Sequence, residues 1–310
     1  MTAPVSRRQF LTTCATLAGG WSISARAAIA PNAAWAGEVG ITTSSLFRQM
    51  VEGGAADRKF GLLDLPRVMR DELGMKVIDL NTGTLNTRDP AQLDRFRQAV
   101  AAAGCVVSNL KVNMTTLGVK VQDLPIEHSD PAIRSKAIEG YREWIVAAER
   151  IGARWVRPFL GNERPDIEIA TDSLRQIVDF ADRHRITIVL ENGGWIQADP
   201  DAIPRLIEAL KRRIAAAPDI GAWDKNAREP GLTRAFPHAV TCDFKVGRLG
   251  PGGEHPSYDL KRCFELGWKA GFRGPWCIEH AGANTKDLFC ELTWIRDQLK
   301  NWIREAAAGR

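Results

Sequence analysis

Residues Ile186 to Trp195 read Ile-Thr-Ile-Val-Leu-Glu-Asn-Gly-Gly-Trp. The stretch opens as a β-branched and aliphatic run without polar alternation. Such a run suits a strand covered on both faces, as in a parallel sheet. It ends in a carboxylate, Glu191, then Asn192, then Gly193-Gly194, which permit a sharp turn. A carboxylate at the C-terminal mouth of a buried parallel strand is where barrel enzymes place chemistry. A charge there must be paired, hydrogen-bonded or metal-bound. The plainer reading is a structural salt bridge at a strand end.

Working outward, the same pattern recurs. Strands are predicted at Val39–Thr43, Lys76–Asn81, Val106–Met114, Arg154–Gly161, Asp219–Asp224, Ala239–Val246 and Pro275–His280. Helices lie between most of them. Asp89-Pro90, Asp130-Pro131 and Asp199-Pro200 place an aspartate at the cap and a proline at the first helical position. A further helix is expected to start at Thr171 or Asp172, another to run from about Ser257 to Ala270, and a last one from about Lys286 to Ala306. Eight strands with short helical connections, in about 275 residues after a leader, match a single-domain (β/α)8 TIM barrel. A doubly wound open sheet is the alternative, but no strand is followed by Gly-x-Gly-x-x-Gly.

The leader is residues 1–36, and the barrel domain residues 37–310. Ser6-Arg7-Arg8-Gln9-Phe10-Leu11 resembles a twin-arginine export signal. A weakly apolar segment follows, then small-residue cleavage sites at Ala25-Arg26-Ala27 and Ala34-Trp35-Ala36. The segment is too short to span a bilayer, so a periplasmic protein free of the membrane after processing is expected. Setting aside Arg7, Arg8 and Arg26 lowers the formal net charge from +5 to +2, which offers no case for nucleic-acid binding. Cys105, Cys242, Cys263, Cys277 and Cys290 are odd in number and lack a Cys-x-x-Cys, so they read as core thiols.

In a barrel the strand ends converge, which gathers Glu191, Asp224, Asp243 and Glu279 around one mouth. Four carboxylates together repel, and a divalent cation relieves the repulsion. Oxygen-rich sets suit Mn²⁺, Mg²⁺ or Co²⁺ better than structural zinc. The alternative pairs the acids with Arg157, Lys111 or Lys245. Lys245 lies two residues beyond Asp243, on the same side of its strand. His255 sits in the Gly-rich loop after the seventh strand, from which a side chain can reach a substrate. His280 neighbours Glu279 and points to the opposite side of the strand.

Leu190-Glu191-Asn192-Gly193-Gly194, the Gly221–Asn226 segment Gly-Ala-Trp-Asp-Lys-Asn, and the run from Leu266 through Gly-Phe-Arg-Gly-Pro-Trp to Glu279 resemble the sugar phosphate isomerase/epimerase family, with its xylose isomerase-like barrel. The resemblance implies one divalent metal, Mn²⁺ in preference to Mg²⁺, Co²⁺ or Zn²⁺. Its ligands would be Glu, Asp, His and Glu at the ends of strands five to eight. Glu191, Asp224 and Glu279 match three of them. The family's seventh strand usually reads His-x-Lys, and here it reads Asp243-Phe244-Lys245. Either Asp243 replaces the histidine, or the ligand set is incomplete, or the true register of this strand differs by one residue.

The resemblance further implies proton transfer beside a sugar carbonyl, with Glu191 and Glu279 as metal ligands and as the acid–base pair. Lys111, Arg157 and Lys245 would hold substrate oxygens, and Trp195 and Trp223 would stack on a sugar ring or merely close the barrel top. The expected partner is a small sugar, with a homo-oligomer left open. A lyase cleaving a keto-glycoside by β-elimination and a non-catalytic sugar-binding barrel are the alternatives. Replacing Arg7 and Arg8 by lysines should leave the precursor in the cytoplasm, as read by cell fractionation; an unchanged periplasmic yield would reject the export reading.

Overall fold

The computed structural model describes residues 35–50, 59–112, 125–247, 249–280 and 287–309. Its eight strands are β1 Val39–Thr42, β2 Val77–Asn81, β3 Val106–Lys111, β4 Trp155–Arg157, β5 Thr187–Leu190, β6 Ala215–Ala216, β7 Cys242–Val246 and β8 Trp276–His280. All pairings are parallel, in the order β6-β5-β4-β3-β2-β1-β8-β7. Parallel bridges Ala216–Ala239 and Asp219–Asp243 join the two edges. The sheet is therefore curled shut as a (β/α)8 barrel, as the alternation of strands and helices predicts.

Most helix starts follow from their caps. Asp89 accepts from the Gln92 amide and Asp130 from the Ala132 amide, each followed by proline. Three expectations shift. The helix expected at Thr171 or Asp172 begins at Ile167, because Asp166 caps it through the Glu168 amide. The helix expected at Asp199-Pro200 begins at Ala202. The Asp199 carboxylate instead accepts from the Asp201 amide and pairs with Arg164 and Arg205. A helix at Arg228–Ala235 was not foreseen, since its Pro230-Gly231 reads as a breaker. Met114, the expected end of the third strand, lies outside the described residues.

The larger correction is β6. Its strand is Ala215–Ala216, not Asp219–Asp224. Alanine has weak strand preference, so Ile214-Ala215-Ala216-Ala217 reads more readily as a helix end. The shift of register moves the strand's C-terminal carboxylate from Asp224 to Asp219.

Outward-facing strand residues such as Ile78, Leu80, Leu110 and Ile278 pack with the helices in one large apolar cluster. A second, smaller cluster includes Trp155 and Ala215, the first residues of β4 and β6. It joins Trp35, Trp155, Val189, Ala215, Ala217 and Val240. Trp35 meets Trp155 edge-on at 5.1 Å between ring centroids, and the Arg154 guanidinium lies over the Trp35 ring at 5.6 Å. Trp35 had been assigned to the leader; here it is buried, an integral part of the barrel floor. Truncating a buried Trp to Ala typically costs about 3–5 kcal/mol. Trp35→Ala should lower the unfolding free energy by that amount in urea titration; an unchanged midpoint would show that the floor does not need it.

Candidate active site

Along each strand alternate residues enter the barrel. Apolar residues enter near the floor and polar ones near the mouth. Asp79 and Asn81 on β2 are followed by Asn109 and Lys111 on β3, in register with Trp155 and Arg157 on β4. On β7 and β8, Lys245 stands in register with Glu279. Glu191 is the first residue beyond β5.

Lys111 is 1% exposed and stands among carboxylates from three other parts of the barrel. Its Nζ is 2.5 Å from Asp243 Oδ2, 3.0 Å from Glu191 Oε2 and 3.4 Å from Glu279 Oε2. Thr42 Oγ1 donates to the other Asp243 oxygen at 2.9 Å. Arg157 Nε lies 3.1 Å from Glu191 Oε2. Lys245 Nζ bridges Asp219 Oδ2 at 2.8 Å and Glu279 Oε1 at 3.3 Å. Burial works to discharge Lys111, but Asp243 and Glu191 overcome it and hold the ammonium well above its ordinary range. Burial also works to protonate Glu191, yet Arg157 and Lys111 hold it well below the usual carboxylate range. Glu279 is held down in the same way by Lys111 and Lys245. Lys245 is raised, first by the charge of Asp219.

Asp219 is fully buried. Its Oδ1 accepts from the Gly221 and Ala222 amides, and its backbone is held on both sides by the Asn192 side chain. Asp224, expected as a metal ligand, is exposed and away from the cluster, because β6 ends earlier than foreseen. Alternation from Ala215 through Ala217 would have pointed to Asp219. Asp79 was also missed, for it sits inside β2 rather than at its end.

The other expected residues fall around this cluster. Gly194 takes φ +60°, and a Cβ there would meet the Gly161 carbonyl oxygen at 2.0 Å, so the turn after β5 needs glycine. Trp195 and Trp223 are buried in the main core, and Trp223 packs on Gly231, which favours closing the barrel over stacking on a ligand. His255 stacks on Tyr258 at 3.8 Å between ring centroids, and Tyr258 donates its hydroxyl to the Lys245 carbonyl. His255 is thus tied to the end of β7. His280 turns away toward Glu291, its Nε2 2.5 Å from Oε2.

Glu191, Asp219 and Asp243 each bring one oxygen within 4.8 Å of the others. Such an acidic triad suggests a divalent metal. As packed, however, Asp219 and Asp243 already give both oxygens to protein donors, and an ammonium stands among the acids. With Lys111 there, the residues do not fit an ion held by all four strand-end side chains.

The model of the xylose isomerase-like TIM barrel family matches residues 71–306. The chain belongs to that family. An L-ribulose-5-phosphate 3-epimerase of Salmonella heidelberg is 25% identical over 265 residues, covering 77% of this chain and 88% of the relative. The D-psicose 3-epimerase of Clostridium cellulolyticum, solved with D-tagatose, superposes with a TM-score of 0.65 at 11% identity, over 86% of this chain and 99% of that one. A xylose isomerase-like barrel of Mycobacterium smegmatis in complex with magnesium gives a TM-score of 0.60 at 16% identity, over 87% and 97%. At family level the relatives are sugar epimerases and isomerases.

Asp79 supplies a test of the electrostatics. Burial raises its carboxyl to about 6, against the Lys111 charge and the hydrogen bond from Asn109. Between its ordinary value of 3.8 and about 6 the fold retains a proton that the unfolded chain has lost. Stability therefore falls as pH rises through that window. Asp79→Asn should remove the penalty, worth up to about 3 kcal/mol at two pKa units. Thermal unfolding should show a gain at about pH 7 that fades toward about pH 4; an equal effect at both would contradict the buried charge.

Proposed function

We propose that the protein is a sugar isomerase or epimerase that moves a proton beside a carbonyl, with Glu191 and Glu279 as the proton carriers. One observation carries the reading: two glutamates from β5 and β8 approach a single ammonium at the barrel mouth, within 3.4 Å. Arg157 and Lys111 hold Glu191 ionised, the state a base needs, while lowering its basicity. The enediolate that forms carries charge on oxygen, which the partly exposed Lys245 ammonium can meet directly, with the positive charge of Lys111 beneath it. For epimerisation Glu279, in contact with both lysines, gives the opposite face of the carbon a proton that it first takes from water, and Glu191 releases its own proton to water. Arg157 serves Glu191, and His255 lies at the rim, where it can meet substrate.

We place the protein in the periplasm, exported through the twin-arginine leader. The leader then ends before Trp35, for instance at Ala25-Arg26-Ala27, since cutting after Ala36 would remove part of the floor. Among the described residues, no helix is long and apolar enough to cross a membrane. An exported enzyme meets few phosphorylated sugars, so a free ketose, an oxidised glycoside or an inositol-like polyol is the substrate class. A sugar-binding barrel without turnover is the second reading, favoured by the ammonium at the centre of the acids.

Incubation with ketoses and keto-glycosides in deuterated water separates these. Isomerisation or epimerisation puts deuterium at the carbon next to the carbonyl, while elimination releases the aglycone. Glu279→Gln should slow exchange by about a hundred- to ten-thousand-fold while sugar binding survives. Binding without exchange or cleavage in the unmodified protein would leave only the binding role.

A further inference from the structure

We propose that Lys111 is the built-in cation of this site: its ammonium takes the place a divalent metal would hold between Glu191, Asp243 and Glu279, and competes with metal for those oxygens.

The register of β3 places Lys111 beside Arg157, at the level of the strand ends. An ammonium has three N–H donors and no acceptor. Lys111 has three carboxylate neighbours, each within 3.4 Å: Glu191 just beyond β5, Asp243 inside β7 and Glu279 near the end of β8. Two of them, Glu191 and Asp243, also belong to the acidic triad. The cation position is thus filled by the chain itself, with its donors matched by acceptors.

Asp243 fits this role better than it fits a metal. Its Oδ2 is turned to Lys111 at 2.5 Å, and the hydroxyl of Thr42 holds its Oδ1 from the opposite side. An imidazole at this position would bring one acceptor at most and no negative charge to a buried ammonium. A dication close to that ammonium would be repelled strongly in so dry a place. It could enter only by displacing Lys111, which is 1% exposed and has no water into which to withdraw its charge.

The inference rests on this cluster being the functional site, but its test reads metal binding and is separate from sugar turnover. Metal-stripped full-length mature protein and its Lys111→Met variant are titrated with MnCl₂ by calorimetry. The variant should bind one Mn²⁺ about 10- to 100-fold more tightly than the unmodified protein, the range by which groups beside metal ligands move affinity. Adding Asp243→Asn to Lys111→Met should abolish that gain. Equal affinity in the unmodified protein and Lys111→Met would overturn the proposal. Should Lys111→Met fail to fold, the unmodified protein decides: after loading with manganese and dialysis, retained metal well below one equivalent supports an internal cation, and a full equivalent refutes it.

Discussion

A lysine charge sealed inside a barrel has to be compensated by the fold that seals it. Lys111 lies among carboxylates from β5, β7 and β8, and each of these acids has a second cationic or hydroxyl partner. Removing one member would leave its partners charged, buried and unmatched, which costs far more than a surface ion pair contributes. The strand ends are therefore held in mutual position by electrostatics as well as by backbone hydrogen bonds. Barrel shape and charge network depend on each other: closure between β6 and β7 brings Asp219 beside Asp243, and the acids need the lysines that closure delivers.

The loops at the mouth are shaped by the same need for satisfied polar groups. Asn192 holds the Asp219 backbone through both its amide and carbonyl groups, so the turns after β5 and β6 are joined by a pair of hydrogen bonds. Gly194 lets the turn after β5 rest against the Gly161 carbonyl of the turn after β4. Tyr258 fastens the loop after β7 to Lys245. Chemistry-bearing side chains thus sit on short, mutually braced segments, as catalytic geometry requires.

Much of this was legible in the chain. Glu191 and Glu279 each close an apolar run followed by turn or loop residues, and the barrel follows from eight such runs alternating with helices. What escaped did so for identifiable reasons. Ala215-Ala216 gives no strand signal, so the next carboxylates in sequence were set on the wrong strand position and Asp224 was taken for Asp219. Asp79 lies within a hydrophobic strand, and only three-dimensional closure shows that its inward neighbours are Asn109 and Lys111. Lys111 was recognised as near the site, but a one-dimensional pattern cannot show that a long side chain ends at the centre of three acids. Trp35 looked like part of a processing site because small residues flank it, and nothing local reveals its contact with Trp155, 120 positions away.

The tryptophan floor has a bearing on the mouth. Trp35, Trp155 and their aliphatic neighbours pack beneath the charged cluster, so the barrel interior is sealed on that side by apolar side chains. On the proposed function, a sugar seated over Glu191 and Glu279 would act as a stopper. Water displaced by it must leave past it, and the charges beneath lose their contact with bulk solvent. Field strength around Lys111 then rises as the effective dielectric falls. On that reading the ligand itself would complete the insulated environment in which a proton is moved at the two carboxylates.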